Sequence, residues 1–382
     1  MVKKVLYCAT VDYHFSAFHL PYMQWFKEQG WDVHVAAAGN NELPFTDKKF
    51  TIPIHRSPFK LSNFKAYKQL RTLMKEHDYD IIHSHTPLGG VIARLAARKA
   101  RKQGTKVIYT AHGFHFCKGA PLLNWLVYYP IEKYLSKDTD CLITINSEDY
   151  QLAKDHHFKA KKIKHINGVG VDTERYKPVS EKGKEEAKRK FGYQASDFLL
   201  IYAAEFNKNK NQQLLIKALA RVKDELPVAR LLLAGEGPLK EQCRELAENL
   251  GIEDRVEFMG FRHDLEHLLP ACDLAVASSL REGLPVNIME AMACGLPVVA
   301  SQNRGHRELI AERKNGFLVD PYDVDGFASR LEKVYFLKQL RYQLGAGSLV
   351  KVKEYSIQNT LNQTTATYKS YMEQEELGWA VQ

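Results

Sequence analysis

Short runs of β-branched and aliphatic residues alternate with longer amphipathic stretches along this chain, and this alternation restricts the fold more than any other feature. In the first half, the apolar runs lie at residues 5–11, 33–38, 81–85, 107–110 and 141–145. Helical patterns separate them, near residues 16–29, 63–77, 88–103 and 121–137. Strands that alternate with helices in this way are typical of βαβ units and a parallel sheet.

The alternation stops once and then starts again. Residues 177–189 are polar and basic, and apolar runs then recur at residues 198–203, 229–234, 256–258, 274–277, 297–300 and 317–319. A length of 382 residues suits two α/β domains of ordinary size. The sequence therefore predicts two Rossmann-like, doubly wound domains, over residues 1–176 and 177–355. Ligands of such sheets bind beyond the carboxyl ends of the strands, so functional residues should follow the apolar runs.

The composition excludes several classes of protein. Hydrophobic residues make up 45% of the chain and charged residues 26%, which is typical of a folded globular protein. The sequence contains no run of about 18 apolar residues, so it predicts no membrane-spanning helix. The six cysteines lie apart without a CxxC pair, as expected for thiols in a reducing compartment. We therefore expect a cytoplasmic protein, whose membrane contact would be peripheral.

Two carboxylates lie eight positions apart in the second half, after the apolar run at residues 274–277. Glu282 lies in a glycine-containing loop, and Glu290 lies in a helix that should begin near Pro285. A helix N-terminus attracts phosphate, and carboxylates accept hydrogen bonds from vicinal sugar hydroxyls. The combination suits a nucleotide sugar. Taken alone, such a pair would more often be a helix cap and a solvated helix residue.

The residues around this pair resemble a known family. Residues 282–300 are similar to the E-x7-E signature of glycosyltransferase family 4, whose members are retaining enzymes of the GT-B fold. Residues 235–238 and 315–319 resemble the family's glycine turn and late strand, and the likeness extends over nearly the whole chain. Residues 7–15, 110–116 and 303–308 are most similar to EpsD-type enzymes of exopolysaccharide and capsule biosynthesis. The resemblance implies two Rossmann-like domains that face a cleft, and a C-terminal helix at residues 356–382 that returns to the first domain.

The resemblance also assigns roles on the donor side. Glu290 would hold the ribose hydroxyls, Glu282 the transferred sugar, and Lys210 the diphosphate. The further donor-binding candidates are Asn207, Lys208, Gly235, Gly237, Arg262, Gly283, Leu284, Pro285 and Val286. Most family members have Gly-Arg where this chain has Ala204-Glu205, so Lys208 or Arg262 would have to replace that arginine.

On the acceptor side, His112 follows the run at residues 107–110 and matches the family's cleft histidine, with a purely structural histidine as the alternative. The catalytic candidates are His112, Lys210 and Glu282, and the acceptor-side candidates are Tyr13, His14, His85 and His115. His83 and His85 share one face of a strand, but no third metal ligand follows at a characteristic spacing. Because no DxD motif follows a strand either, we predict no obligatory metal ion and no cofactor besides the UDP-sugar co-substrate.

The resemblance implies a retaining glycosyltransferase. It would move a hexose or N-acetylhexosamine from a UDP-sugar to a saccharide on a polyprenyl-diphosphate carrier, in exopolysaccharide or capsule biosynthesis. The alternatives are a sugar-nucleotide epimerase of the same architecture, which would lack the residue 282–290 block, and a basic peripheral membrane-binding protein. The absence of GxGxxG after the first strand argues against a dehydrogenase, and no motif predicts a nucleic-acid partner.

Charge is distributed unevenly along the chain. The net charge is +9, with +11 in residues 1–178 and −2 in residues 179–382, which points to an anionic partner for the first domain. Two sets of basic residues recur at helical spacing: Arg94, Arg98 and Arg101, and Lys68, Arg71 and Lys75 beside Phe59 and Phe64. We predict that these stripes hold the enzyme on the anionic inner face of the cell membrane, near a lipid-linked acceptor. Ordinary solvated helix faces are the alternative.

Overall fold

The computed structural model describes residues 2–57 and 59–379, with side chains up to residue 372. The chain forms two compact units. Unit 1 comprises Met1–Gly170 and Gln358–Gln382, and unit 2 comprises Val171–Ile357. Each unit is built around one parallel β-sheet.

Unit 1 contains a seven-stranded sheet. Its strands are β1 (Lys4–Val11), β2 (Asp32–Ala38), β3 (Lys48–Thr51), β4 (Ile81–His85), β5 (Lys106–Ala111), β6 (Cys141–Thr144) and β7 (Lys162–His165). Their order across the sheet is β3-β2-β1-β4-β5-β6-β7, and every neighbouring pair is parallel. The chain crosses to the other half of the sheet after β3, so the crossing point, where the strand order reverses, lies between the neighbouring strands β1 and β4.

Helices cover both faces of this sheet. They are α1 (Tyr13–Phe18), α2 (Leu20–Glu28), α3 (Ser62–His77), α4 (Pro87–Lys102), α5 (Leu122–Ser136), α6 (Ser147–Asp155) and the last helix, α15 (Ile357–Trp379). Successive residues of β1 point to opposite faces. Val5 packs with Phe26 of α2 and Tyr368 of α15, whereas Leu6 packs with residues of α3 and α4 such as Leu70. Burial on both faces explains why these strands are continuous apolar runs.

Helix α15 completes unit 1 although it is distant from it in sequence. The Tyr368 hydroxyl lies 3.2 Å from the Tyr7 hydroxyl, and the Tyr371 hydroxyl donates to the Asp140 carbonyl at 3.1 Å. Both tyrosines belong to the apolar core on the α2 face of the sheet. The C-terminal segment is therefore part of the packing of the first sheet.

Unit 2 contains a six-stranded parallel sheet. Its strands are β8 (Phe198–Ala203), β9 (Ala229–Ala234), β10 (Val256–Gly260), β11 (Leu274–Ala277), β12 (Val298–Ser301) and β13 (Gly316–Val319). Their order is β10-β9-β8-β11-β12-β13, so the crossing point lies between β8 and β11. Its helices are α7 (Glu181–Lys190), α8 (Gln212–Arg221), α9 (Lys240–Asn249), α10 (Leu265–Leu268), α11 (Val286–Ala293), α12 (Arg304–Leu309), α13 (Val324–Phe336) and α14 (Lys338–Val352).

Side-chain caps fix the start of several unit 2 helices. The Ser180 hydroxyl accepts a hydrogen bond from the Gly183 amide before α7, and Asp323 accepts one from Gly326 before α13. Asn303 caps α12 by accepting the His306 amide at 3.0 Å. Each cap satisfies an amide that has no partner inside its helix. The prediction of two parallel, doubly wound α/β domains is confirmed.

Candidate active site

The crossing point of the unit 2 sheet brings two loops together. In an open parallel sheet the loops after the two strands that flank this point diverge and leave a crevice. The loop after β8 covers residues 204–211, and the loop after β11 covers residues 278–285. Most of the predicted donor-side residues lie in these two loops.

Hydrogen bonds hold the two loops side by side. The Leu280 amide donates to the Asn209 carbonyl at 2.7 Å, and the Asn209 side-chain amide donates to the Arg281 carbonyl at 2.9 Å. The Ser278 hydroxyl donates to the Lys210 carbonyl at 2.7 Å. Because these bonds use backbone atoms of both loops, they fix the positions of the side chains that the loops carry.

Lys210 and Glu282 form an ion pair in this crevice. The Lys210 ammonium lies 2.5 Å from Oε1 of Glu282, and both side chains are about four-fifths buried. Arg304 lies against the same loop and donates from Nε to the Glu282 carbonyl at 3.0 Å. A Cβ atom on Gly305 would lie 2.7 Å from Cβ of Glu282, so only glycine lets α12 approach this closely. The pair thus has a rigid support.

His306 lies behind this ion pair and was not predicted as a site residue. Its ring is fully buried, and Nδ1 lies 2.6 Å from the Ser301 carbonyl and 2.9 Å from the Asn303 amide nitrogen. Burial lowers its pKa, and the nearby Glu282 carboxylate only partly offsets that effect. His306 is therefore a neutral group in the wall behind Glu282. Its buried polar setting depends on tertiary packing, which single-sequence patterns do not show.

Glu290 lies on α11, separate from the ion pair. Burial raises the pKa of its carboxyl group to about 7, while the Tyr176 hydroxyl and the Arg175 guanidinium oppose this rise. Arg175 itself forms an ion pair with Glu266 at 3.0 Å. A carboxyl group with a pKa near 7 changes charge within the physiological range, which ordinary surface glutamates do not.

The glycine turn after β9 packs on the loop that follows β8. A Cβ atom on Gly235 would lie 2.1 Å from the Ala204 carbonyl oxygen, and one on Gly237 would lie 2.4 Å from the Phe206 carbonyl oxygen. Both glycines have φ near +150°, a conformation that other residues rarely adopt. The turn therefore requires glycine for its packing, in addition to any contact with a ligand.

The remaining donor candidates take up different positions. Asn207 donates to Glu205 at 3.1 Å, and its own oxygen accepts the Lys210 amide at 3.0 Å. Arg262 forms a two-bond pair with Asp264 at 2.8 and 2.6 Å, so its guanidinium is already engaged. Lys208 is exposed. Gly283, Leu284 and Pro285 lead directly into α11, which begins at Val286.

Unit 1 places a cluster of imidazoles at its own crossing point. His14 lies on α1 just after β1, His85 is the last residue of β4, and His112 directly follows β5. His19, between α1 and α2, completes the group. One ring nitrogen from each of the four lies within 4.8 Å of the others. The four-histidine cluster, defined by these residues, contains two of the predicted acceptor-side residues and the predicted catalytic histidine.

Burial determines the protonation of this region. It lowers the pKa of His14 to about 4 and that of His83 to about 3, and it lowers the pKa of His19, His85 and His112 well below the ordinary value for histidine. The rings are therefore neutral at physiological pH. His83 lies beside the cluster but differs from it, because its two nitrogens contact the Tyr368 and Thr110 hydroxyls at 2.7 and 2.8 Å.

Two acceptor-side candidates lie apart from the cluster. Tyr13 is exposed at the start of α1, and His115 is exposed with its ring 4.6 Å from that of Tyr128. His115 thus packs on α5 and lies outside the histidine group.

The predicted basic stripe on α4 is wrong. Arg94 is only 1% exposed, forms a 2.7 Å ion pair with Glu132 of α5, and packs on the Tyr109 ring. Arg98 and Arg101 form ion pairs with Asp138 and Asp140. The helical spacing was real, but it marks the face of α4 that packs against α5 and the residues after it. Arg94 therefore ties α4 to α5, and Arg98 and Arg101 tie it to the loop between α5 and β6.

The second stripe does lie at the surface. Lys68, Arg71 and Lys75 are exposed on α3, and Lys68 lies over the Phe64 ring at 4.5 Å. Phe59 and Phe64 are 91% and 60% exposed. A basic surface with accessible aromatic rings is therefore present in unit 1.

Helix α5 carries an exposed apolar face that the sequence analysis did not predict. Its members are Leu122, Leu123, Leu126, Val127, Ile131 and Tyr134. The one acidic residue of the helix, Glu132, is buried against Arg94. The opposite face packs into the unit through Trp125 and Tyr129. No helix of the described chain is both long and apolar enough to cross a bilayer.

Comparisons with known proteins agree with this architecture. Residues 4–146 match the family model described as "Glycosyl transferase 4-like", and residues 183–348 match "Glycosyl transferases group 1". The chain is 50% identical over 375 residues to "Putative glycosyltransferase EpsD" of Bacillus subtilis (strain 168), which covers 98% of each protein. It is 29% identical over 303 residues to the UDP-Gal:alpha-D-GlcNAc-diphosphoundecaprenol alpha-1,3-galactosyltransferase of Escherichia coli, covering 76% of this chain and 77% of that one.

A solved structure shares the fold. Anabaena Alr3699/HepE in complex with UDP superposes with a TM-score of 0.78, over 97% of this chain and 100% of that one, at 22% identity. This likeness shows the two-domain GT-B fold. The near-complete match at 50% identity and the two family models confirm the predicted family. The chain therefore belongs to the group 1 glycosyltransferases that carry a 4-like first domain.

Proposed function

We propose that this glycosyltransferase binds a UDP-sugar in unit 2 and transfers the sugar with retention at the anomeric carbon. The observation that carries the proposal is the crevice at the β8–β11 crossing point, where Lys210, Glu282 and the start of α11 lie together. The HepE structure contains UDP, and the name of the Escherichia coli relative specifies a UDP-galactose donor. Both support uridine diphosphate as the carrier of the sugar.

In the proposed mechanism, the diphosphate replaces Glu282 as the partner of Lys210. The freed carboxylate then accepts hydrogen bonds from the sugar hydroxyls, while Lys210 and the N-terminus of α11 meet the charge that develops on the leaving group. Glu290 accepts hydrogen bonds from the ribose hydroxyls. The Gly283, Leu284, Pro285 and Val286 backbone lies along the diphosphate and sugar.

The transfer itself exchanges one bond for another on the same face of the sugar. The acceptor oxygen forms a bond to the anomeric carbon as the bond from that carbon to the UDP oxygen breaks. The acceptor proton passes to an oxygen of the departing diphosphate. We infer that Lys210 and the helix N-terminus supply the charge stabilisation at this site and that the reaction needs no divalent ion.

The proposed acceptor is a saccharide on a polyprenyl diphosphate, in exopolysaccharide or capsule biosynthesis. The relative from Escherichia coli, named for a diphosphoundecaprenol-linked substrate, supports this class. The proposal assigns His112 to the acceptor side of the reaction, beside His14 and His85. It also extends to the transferred group, a hexose or N-acetylhexosamine.

A peripheral position on the inner face of the cell membrane follows from the same proposal. Membrane binding is supported by the exposed apolar face of α5 together with the α3 stripe of Lys68, Arg71 and Lys75. Helices α3 and α5 both pack against α4. Apolar side chains that enter the headgroup region, with cations beside them, are the features by which peripheral proteins bind anionic bilayers.

The proposed function is tested by product analysis. The purified chain is incubated with a panel of UDP-hexoses and UDP-N-acetylhexosamines, a polyprenyl-diphosphate-linked saccharide, and EDTA. We expect transfer from one donor, with an α linkage formed from the α-linked donor, as measured by the anomeric proton coupling in NMR spectra. A product of inverted configuration, or turnover that stops with EDTA and returns with Mg2+, would contradict the proposal.

A further inference from the structure

The four-histidine cluster of unit 1 has the composition of a metal-binding site. His14, His19, His85 and His112 each offer one nitrogen, and these nitrogens lie within 4.8 Å of one another. Imidazole nitrogen is a preferred ligand of Zn2+ and of the neighbouring divalent transition metals. We propose that this cluster binds one divalent transition metal ion of the Zn2+ class.

The distances between the rings support this proposal. Nε2 of His14 and Nε2 of His19 are 3.1 Å apart, and Nδ1 of His85 and Nε2 of His112 are 3.2 Å apart. Two nitrogens bound to one tetrahedral Zn2+, each at about 2.0 to 2.1 Å, lie about 3.4 Å apart. The two close pairs therefore match ligand spacing, and small rotations of the half-buried His14 and His112 rings would bring all four to one ion.

A second observation is independent of these distances. Nε2 of His85 is buried and makes no hydrogen bond, and His85 itself is only 1% exposed. A buried polar atom without a partner is costly, so it marks a place for a ligand; because one imidazole offers an ion only one nitrogen, His85 would bind through this Nε2 or through the Nδ1 counted above, but not through both. The Nδ1 contact with His112 uses the other nitrogen of the ring. The pairing of the histidines with one another therefore does not satisfy the group.

A small cavity adjoins three of the four histidines. Its volume is about 20 Å³, and His19, His85 and His112 line it together with His83 and Tyr368, whereas His14 is not among its lining residues. That volume is just above the minimum for one water molecule. The sheet positions two of the ligands, because His85 ends β4, His112 follows β5 and these strands are hydrogen-bonded neighbours. His14 lies on α1 and His19 directly after it.

Metal binding would have a consequence for the acceptor side. A coordinated imidazole has no lone pair left for a proton or a hydrogen-bond donor, so a metal-loaded chain lacks a free His112 acceptor nitrogen. We therefore expect Zn2+ to inhibit transfer. This consequence rests on the role proposed for His112, whereas metal binding itself does not.

The test measures metal binding on the full chain without any substrate. Co2+ is titrated and its visible absorption recorded, and Zn2+ is then added in competition. We expect one ion per chain, with the intense bands of four-coordinate Co2+, and affinity lower by about 100-fold in His14→Gln and in His112→Gln. His263→Gln, which changes an exposed histidine of unit 2, is the control and should bind like the wild type.

Three results would overturn the proposal: no saturable binding of one equivalent, unchanged affinity in both variants, or a crystal soaked in Zn2+ that shows no ion among the four histidine rings. Circular dichroism establishes whether each variant is folded. If one variant does not fold, the other alone provides the test. A Zn2+ titration of transfer, reversed by EDTA, then separates the two claims. If the ion binds but transfer is unaffected, the metal site stands and the acceptor role proposed for His112 is wrong.

Discussion

At the scale of single residues, the donor-side pattern in the sequence predicted which side chains meet, but not how they are paired without ligand. Glu282 and Lys210 are 72 positions apart, yet both follow strands that flank one crossing point, so the rule for parallel sheets brings them together. The ion pair itself depends on loop conformation. The ion pair between Arg262 and Asp264, two residues away, could not be predicted from the sequence either, because apolar periodicity carries no information on polar pairing.

The Lys210 prediction follows from its place beside the proposed leaving group. Lys210→Ala should lower turnover by about 100-fold, because a charge that meets the departing diphosphate is lost. The measurement is the steady-state rate with saturating donor. Lys217→Ala, on the exposed face of α8, removes the same charge outside the crevice and should leave the rate near the wild-type value. A normal rate in the Lys210 variant would show that another cation carries the role.

Glu290 gives a prediction that depends on pH. Its pKa is raised to about 7 by burial, so the ionised carboxylate that best accepts ribose hydroxyls is formed only as the pH rises through 7. Donor affinity of the wild type should therefore increase from pH 6 to pH 8. In Glu290→Gln it should be nearly independent of pH, and weaker than the wild type at pH 8 by about 1 to 3 kcal/mol. Titration calorimetry with the accepted UDP-sugar measures both.

The raised pKa of Glu290 also predicts that the stability of the fold decreases as the pH rises, whereas donor affinity increases. A carboxyl whose pKa is higher in the folded state stabilises the fold below its unfolded pKa of about 4.3, and this stability is lost as the pH rises through 7. Glu290→Gln should therefore melt at a higher temperature than the wild type at pH 8 and at a similar one at pH 4. Glu248→Gln, at an exposed position, should show no such difference. Equal melting curves at pH 8 would mean that the burial of Glu290 costs nothing.

At the scale of elements, the sequence predicted the strands that are buried on both faces and missed β3 and β7. These are the edge strands of the unit 1 sheet. Each contains two lysines and no continuous apolar run, because an edge strand is partly exposed. Continuous apolar runs therefore mark the strands at the centre of a sheet and not those at its edges. The four-histidine cluster was not predicted because its members are scattered along the chain: His14 and His19 are five residues apart, but His85 and His112 come from the ends of two other strands and no short spacing joins them to that pair.

Helix α5 shows a second limit of periodicity. Its sequence is apolar on both faces, so the pattern could not distinguish the face that packs on Phe116 and Phe158 from the face left open. Conversely, the arginine spacing on α4 suggested a surface, and the structure shows ion pairs, one buried at Arg94 and two partly buried at Arg98 and Arg101. A periodic pattern indicates that residues share a face, but what covers that face depends on tertiary packing.

The exposed face of α5 gives the prediction that belongs to this element. Replacing Leu122, Leu126 and Ile131 together by Gln should lower the affinity for anionic liposomes by about 100-fold, because three apolar side chains no longer enter the headgroup region. Sedimentation with the liposomes measures this loss. Val350→Gln and Tyr322→Gln, at equally exposed apolar positions of unit 2, serve as controls. Loss of liposome binding by the control variants, or unchanged binding by the α5 variant, would place the membrane contact elsewhere.

At the scale of the whole molecule, the distribution of charge separates two contributions to membrane binding. Residues 1–178 carry a net charge of +11, and residues 179–382 carry −2. Several arginines of the first half are paired with carboxylates, so the field that an anionic surface senses comes from the exposed lysines and arginines, including the α3 stripe. That field is screened by salt, whereas the burial of apolar side chains is not.

The two contributions should therefore respond differently to ionic strength. Between 0.1 M and 1 M salt the screening length falls from about 10 Å to about 3 Å, so wild-type binding to anionic liposomes should weaken strongly. The Lys68, Arg71 and Lys75 triple change to Ser should weaken binding at 0.1 M, by about 1 kcal/mol per residue, and should have little effect at 1 M. The α5 variant should lose affinity at both salt concentrations. If the α3 variant lost as much affinity at 1 M as at 0.1 M, its effect would not be electrostatic, and the charge asymmetry of the chain would have no part in binding the membrane.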